Sequence, residues 1–589
     1  MKKVIFFITC LLCLNVSLFA NNNGATHIHY AEIPHAEQWY EDHPGELPIW
    51  LTEEEKLHLD EIGRDFRPTL EPPTPVRQPA EFAPMQGVLI NYGGDGYFGI
   101  PMALIAEMAE DVIVYTIVSS INQQYTVESL FTSNGVNTAN CEYIITPSDS
   151  KWTRDYGPWF IFNGNNESGI TDFNYNRPRP NDNAIPSFCS TYFNINYYYM
   201  NLIATGGNYM TDGHGISVST DLIWEENPSL THAAINTLVE DYLGIETYHV
   251  VPDVNGDYIK HIDCWGKYLS PTQILIREVP TTHSQYDEIE AAVNYFEAQP
   301  SCYGTNYEVP RVYTPGNQPY TNSLILNNKV LVPITGSGYD AQAIASYEAA
   351  MPGYEVLGFT GDWYSTDALH CRTMGVTDQG MLYIYHTPIS DTLNTSDDIP
   401  IIANIHAYSG EALIADSLLL YWKHSTDIDF NVVSLNHFIG EVYTGTIPAQ
   451  PNGTIINYYI HAADNSGRSE NNPYIGAPMA YSFYVMNSVS VDEPQQNMIT
   501  EATNYPNPFS GNTTIAFTLK NNNSSKIEIG IYNIKGQLVN ILTTQANNNL
   551  ISVNWDGSNY AGNDVPAGVY FYRIILDGKI FTQKMLKVK

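Results

Sequence analysis

Lys151-Trp-Thr-Arg-Asp-Tyr-Gly-Pro-Trp-Phe160 sets two tryptophans, a tyrosine and a phenylalanine around one Arg–Asp pair. A turn at Pro147–Ser150 precedes it, and an apolar run continues to Ile161. A core strand does not carry an unpartnered charged pair, because burying an unpaired charge is costly. A surface loop rarely spends so much aromatic area. The stretch therefore reads as a pocket wall on which Asp155 faces a cation between aromatic faces. The competing reading is a structural Arg–Asp pair at a tight turn.

Strands and helices alternate on both sides of this wall, from about Glu81 to Thr387. The pattern predicts strands at Val88–Tyr92, Val112–Val118 and Tyr354–Phe359, and helices at Ile100–Glu110, Ala233–Leu243, Gln285–Ala298 and Ala341–Met351. Such alternation over residues 81–388 indicates an α/β domain with a large core. Residues 389–487 change to short alternating strands, as in an Ig-like β-sandwich. Residues 488–504 read as a polar linker, and 505–589 as a small all-β module. Residues 21–80 are polar and Pro-rich, a removable pro-region or a packed extension. They hold one expected helix, Thr52–Phe66, with Thr52 as N-cap and Glu55 completing a capping box.

A chain of 589 residues exceeds the growth of a single core, so several domains are expected. Its formal charge of −37 repels nucleic acid and anionic membranes and attracts cations. Met1–Ala20, with Lys2 and Lys3 before an apolar run, reads as a secretory signal, and no later stretch is long enough to span a membrane. Removing it leaves Cys141, Cys189, Cys264, Cys302 and Cys371, an odd number. At least one thiol of an exported protein then stays outside any disulfide, which invites a functional reading beside that of an inert buried Cys.

Four further segments of the α/β region carry chemistry. Leu369-His-Cys-Arg-Thr-Met-Gly375 holds the thiol Cys371. In His261-Ile-Asp-Cys-Trp-Gly-Lys267, His261 and Asp263 share one face if extended. His370, beside the thiol, faces away from it on the same reasoning. Thr321-Asn-Ser323 opens an apolar run. In Asn174-Tyr-Asn-Arg-Pro-Arg-Pro180 two prolines hold Arg177 and Arg179 on one face as an anion fork. Asp212, in a Gly-bounded loop, is structural or binds a cation. Cys–His nucleophilic chemistry needs no pair of carboxylates with an aromatic wall, whereas guanidinium chemistry does: two carboxylates clamp the planar cation and expose its carbon to a thiolate.

On these residues the resemblance becomes specific. WTRDYGPW, HIDCWGK and HCRTMG resemble the guanidine-modifying superfamily that includes agmatine deiminases, and NYNRPRP with YTNSLILNN resembles the secreted bacterial peptidylarginine deiminases. The likeness covers roughly residues 80–390. It implies a pentein-type five-bladed α/β propeller of degenerate ββαβ units around a central active site, although no repeat is visible in the sequence itself. By motif it implies Cys371 as nucleophile, His261 as general acid/base, Asp155 and Asp263 as guanidinium ligands, and Asn322 completing the catalytic set. Trp152 would pack on the substrate's aliphatic stem. Arg177 and Arg179, with help from Tyr258, would bind the α-carboxylate of a C-terminal arginine.

The implied function is a secreted peptidylarginine deiminase acting on arginine-containing peptides and proteins, with no cofactor. The superfamily's mammalian members depend on calcium, but no acidic loop here has calcium-ligand spacing, so calcium-independent catalysis is expected. An agmatine or free-arginine deiminase and a non-catalytic surface adhesin are the rivals. Tyr505-Pro-Asn-Pro-Phe509, Val565-Pro-Ala-Gly-Val-Tyr570 and the Lys-rich end Lys584–Lys589 resemble a type IX secretion sorting domain. That implies secretion machinery as a partner and a secreted or outer-membrane-attached, cell-surface location.

Overall fold

The computed structural model describes residues 36–64, 67–93, 97–256, 259–364, 367–389, 391–486, 499–519, 526–534, 537–545, 550–560, 562–576 and 579–588. The expected signal at 1–20, most of the linker and Tyr258 lie outside them. The chain divides into two compact units, one of residues 1–393, 398–448 and 454–484, the other of residues 394–397, 449–453 and 485–589.

Among the described residues of the first unit, five sheets repeat one pattern: an antiparallel strand pair, a helix, and a strand that returns parallel to the second. The first joins Trp159–Phe162, Ser168–Tyr175 and Asn196–Ala204 across the helix Pro180–Phe193. The second joins Met210–Thr211, Ile216–Thr220 and Thr247–Val251 across His232–Leu243. Gly266–Ser270, Gln273–Glu278 and Arg311–Tyr313 follow, with Tyr286–Glu297 as the crossover. Leu324–Leu326, Lys329–Ile334 and Glu355–Thr360 come next, across Asp340–Ala350. In the last sheet Met374–Thr377 pairs antiparallel with Met85–Asn91, which runs parallel to Ile113–Val118 across Met102–Asp111. The two ends of the α/β region are thereby tied in one sheet, to which Cys141–Ile145 adds a strand.

Local chemistry explains these elements. The strands covered on both sides read as near-continuous apolar runs; all but Gln86 of Met85–Asn91 are buried. The helix His232–Leu243 starts where the Thr231 hydroxyl accepts from the Ala234 amide at 3.1 Å, and stops at Gly244 with φ +72°. The helix Ile121–Ser133, capped by Ser120, was not evident from periodicity.

Two antiparallel sheets follow in the same unit. Leu382–Tyr385, expected in the α/β region, instead pairs with Ile399–Ala407, which continues to Val442–Ile447. The second sheet is built on Leu419–His424 and Thr454–Ala463. Alternate residues Ile456, Tyr458, Ile460 and Ala462 are buried, the period of a sheet with one covered face. Arg468 holds Asp378 through bonds of 2.6 and 2.5 Å.

The second unit holds two further antiparallel sheets, one of Ile499–Tyr505, Thr513–Leu519 and Leu550–Trp555, the other of Leu538–Gln545, Lys526–Asn533, Gly568–Leu576 and Lys579–Lys587. Ile499–Tyr505 forms a strand within the expected linker, because its Thr-rich sequence suits an edge without advertising an apolar face.

The expected helix Thr52–Phe66 is a shorter 3₁₀ segment, Glu55–Glu61, although its capping box is present: Thr52 N donates to Glu55 Oε2 at 2.8 Å, and Glu55 N to Thr52 Oγ1 at 3.1 Å.

Candidate active site

Each of the five antiparallel pairs is entered through a short loop or single helical turn. These are Thr153–Tyr156, Gly206–Asn208, Ile262–Cys264, the Thr321–Asn322 loop and His370–Arg372. Asp155, Asp263, Asn322 and Cys371 sit on four of them, and His261 directly precedes the third. All five are buried, none more than 4% exposed.

Neighbouring elements fix these turns. Asp182, on the helix Pro180–Phe193, accepts from the amides of Asp149 and Ser150 at 2.7 and 3.0 Å. Asn91, ending its strand, donates to Ser150 O and Tyr156 Oη, both at 2.9 Å. Arg372 grips Asp367 through two bonds, 3.0 and 2.9 Å, and lies 5.4 Å from the Trp152 ring, joining the Cys371 turn to the aromatic wall. Gly206 and Gly207 fit where nothing larger can. A Cβ on Gly207 would stand 2.5 Å from His261 Nδ1 and 2.8 Å from Asp155 Oδ1.

Asn322 joins Cys371 to Asp263. Its Oδ1 accepts from the amides of His370 and Cys371 at 3.0 and 3.3 Å, while Nδ2 lies 3.3 Å from Cys371 Sγ and 3.4 Å from Asp263 O. Cys371 Sγ is 3.8 Å from Asp263 Oδ2, and His261 Nδ1 is 3.6 Å from Asp155 Oδ1. Five predicted residues thus converge, and of their polar atoms those without a hydrogen-bond partner among the described residues are Asp155 Oδ1 and the two ring nitrogens of His261.

The electrostatics divide the site. Burial, then the charge of Asp263, pushes the Asp155 carboxyl well above the ordinary range. Burial, reinforced by Asp263 and Asp155, also raises the Cys371 thiol well above its usual value. Burial brings His261 down to about 3. Asp263 behaves oppositely: burial would raise it, but the hydrogen bond and charge of His370 bring it below the ordinary range.

His370 was set aside from sequence because adjacent residues of an extended chain face apart. The segment is instead a 3₁₀ turn, and the imidazole bridges two carboxylates, Nδ1 to Asp263 Oδ2 at 2.6 Å and Nε2 to Glu81 Oε2 at 2.5 Å. Glu81 also meets Arg154 at 2.9 Å, Lys267 at 2.7 Å and the Ile325 amide at 2.9 Å. Burial opposes its ionisation, yet His370, Lys267 and Arg154 hold its carboxyl well below the usual range. A small cleft of about 80 Å³ reaches Glu81, Asp263 and His370 from one side but is not lined by Cys371.

The arginine fork is occupied from within. Arg177 donates from Nε and Nη2 to Ile49 O at 3.2 and 3.0 Å. Arg179 donates to Glu55 Oε1 at 2.6 Å, to Glu55 Oε2 at 3.3 Å, and to Pro48 O and Trp50 O at 2.7 and 3.2 Å. Trp152 Nε1 donates to Leu47 O at 3.1 Å. Asp212 Oδ1 is bonded within its own turn, to the amides of His214 and Ile216. Among the described residues, no three His, Cys, Asp or Glu side chains are grouped so as to hold a metal ion.

The family described as Porphyromonas-type peptidyl-arginine deiminase matches residues 77–376, and that described as secretion system C-terminal sorting domain matches residues 503–588. A protein of Yersinia pestis carrying the name agmatine deiminase is 25% identical over 326 residues, 48% of this chain and 89% of the relative. One of the same name from Mycoplasma mycoides is 25% identical over 259 residues, 37% of this chain and 71% of the relative. The solved agmatine deiminase of Enterococcus faecalis superposes with a TM-score of 0.45 at 18% identity, covering 52% of this chain and 96% of that one.

Proposed function

The chain belongs to the Porphyromonas-type peptidyl-arginine deiminase family and carries the type IX sorting domain of a secreted or cell-surface protein, and from that premise we propose that it converts peptidyl-arginine, preferentially at peptide C-termini, to citrulline and ammonia. The observation that carries this reading is the meeting of a thiol, an unbonded imidazole and two carboxylates in one buried site. The five repeated units act as blades of a five-bladed propeller around that site, and the β-sheets after residue 380 as an immunoglobulin-like support.

Asp155 and Asp263 clamp the guanidinium, and Trp152 lies along its aliphatic stem. The entering cation reverses the local electrostatics. Its charge favours ionised Asp155 and a thiolate on Cys371, both of which burial and like charge disfavour in the empty site. Asn322 Nδ2, 3.3 Å from Sγ, donates to that thiolate. On substrate binding the Cys371 thiol gives its proton to His261; the thiolate attacks the guanidinium carbon, His261 passes that proton to the departing nitrogen, and ammonia leaves a thiouronium on Cys371. Water, giving its proton to His261, adds to the same carbon, and breaking the C–S bond releases citrulline and restores the thiolate. No step calls for a metal or cofactor.

The preference for a chain end rests on the carboxylate-binding chemistry of Arg177 and Arg179, and Arg179 already binds one carboxylate, that of Glu55. The rival reading, an agmatine or free-arginine deiminase, draws on the same contacts: the two arginines would then only anchor the N-terminal segment. Kinetics on agmatine, free arginine and peptides with terminal or internal arginine separate the two. Arg177→Ala raises KM for carboxylate-bearing substrates and leaves agmatine unaffected if the fork binds substrate. Equal losses on every substrate support the anchor.

A further inference from the structure

Residues 36–64 precede the matched deiminase region, which begins at residue 77, yet their polar contacts include three residues assigned to the substrate, Trp152, Arg177 and Arg179. Glu46 pairs with Lys151, Leu47 O holds Trp152, Ile49 O takes both arms of Arg177, and Glu55 with two backbone carbonyls takes Arg179. Trp39, Ile49 and Trp50 are buried in one apolar cluster with Trp152, Tyr156 and Cys371. The Glu55 carboxylate is preset for this task by its capping box with Thr52.

We propose that residues 36–64 are an internal ligand of the active site: Glu55 occupies Arg179 in place of the substrate's α-carboxylate, and the docked segment keeps the enzyme latent until it is displaced. The proposal rests on the peptidylarginine reading of the fork. A substrate ending in arginine offers a carboxylate followed by backbone carbonyls, and Glu55 with Pro48 O and Trp50 O offers the same acceptors to the same guanidinium. The segment engages the carboxylate end and Trp152 but leaves Asp155 Oδ1 and the His261 ring nitrogens unbonded, so it fills the site without itself being deiminated. Cys371 and Asn322 are fully buried, and Trp39, Ile49 and Trp50 of the segment share the apolar cluster that contains Cys371. Between the segment and the deiminase region Leu70 is 84% exposed, and a protease reaches the chain there.

The test places a site-specific protease sequence between Leu70 and Glu71 of the full secreted chain and compares intact protein, cleaved protein freed of the segment, and uncleaved Glu55→Gln. Two readouts are taken: citrulline release from a peptide ending in arginine, and the rate at which Cys371 is alkylated, followed by peptide mapping. Cleavage is expected to raise kcat/KM about 100-fold and Glu55→Gln about tenfold, with Cys371 alkylation rising in parallel. Faster alkylation without citrulline from any guanidinium substrate leaves the segment as a cover over Cys371 but overturns the deiminase reading, and with it Glu55 as the stand-in for a substrate carboxylate. An intact chain as active and as readily alkylated as the cleaved one overturns the internal ligand and leaves the deiminase reading in place.

Discussion

Asp155 and Asp263 flank one buried site, yet the protein treats them in opposite ways. Asp263 is bonded to His370, and through it to Glu81 and the cations Arg154 and Lys267; its carboxyl is held below the ordinary range. Asp155 keeps an oxygen without a hydrogen bond and stands 3.6 Å from an imidazole that is equally unbonded; its carboxyl is pushed up. On the proposed reading, Asp263 is the half of the clamp fixed by the protein and Asp155 the half that bonds to the substrate cation. Buried polar atoms without partners oppose folding, and they mark where a protein has given stability to function.

The largest expected effect falls on the atom both halves serve. Cys371→Ala is expected to lower citrulline release by about 10⁴-fold or more in a discontinuous citrulline assay.

The next pair breaks the comparison directly. Asp155→Asn and Asp263→Asn each cost about 10³-fold in kcat/KM, since each removes one jaw. Their stabilities diverge in urea unfolding at neutral pH: Asp263→Asn loses about 3 kcal/mol because it strands His370 and Glu81, whereas Asp155→Asn is neutral or stabilising. Equal losses would erase the distinction drawn between the halves.

Glu81→Gln sharpens it through pH. A carboxyl lowered on folding stabilises the protein above its unfolded value, here 4.5, and that contribution disappears as pH falls through the lower folded value. The variant is therefore less stable than the parent at pH 7, by about 2 kcal/mol, and loses less on acidification. Its kcat falls about tenfold, with KM little changed, because Asp263 loses its orienting bridge. Asp155 works the other way: with a raised carboxyl, its favourable contribution lies below its unfolded value of 3.8 and is lost as pH rises towards the folded value.

Gly207→Ala is the mildest. The added methyl must displace His261 or Asp155, so kcat falls about tenfold while the unfolding midpoint moves little.

The sequence carried the chemistry better than the architecture. Asp155, His261, Asp263, Asn322 and Cys371 announce themselves because each lies in a local motif whose residue types have few other uses. The repeated units stayed hidden because what recurs is a short turn leading into a strand, with RDY, GGN, IDC, TN and HCR as unlike fillings. His370 was misjudged by assuming an extended chain where a 3₁₀ turn forms. Glu81 could not be found from spacing, since it meets His370 across 289 residues. The arginine fork was legible as an anion site, but Pro180 was read as holding an extended chain when it opens a helix, a position proline favours. Nothing local tells that Glu55 reaches Arg179.

Attack of Cys371 on a guanidinium carbon is the step on which the proposed function depends. Rapid quenching of the enzyme with a peptide ending in arginine, followed by mass analysis of the Cys371 peptide, tests it most directly, in chains with and without residues 36–64. A transient adduct on Cys371 weighing the substrate less one ammonia is expected, appearing before citrulline accumulates and absent from Cys371→Ala. Citrulline formed at the full rate by Cys371→Ala would contradict it.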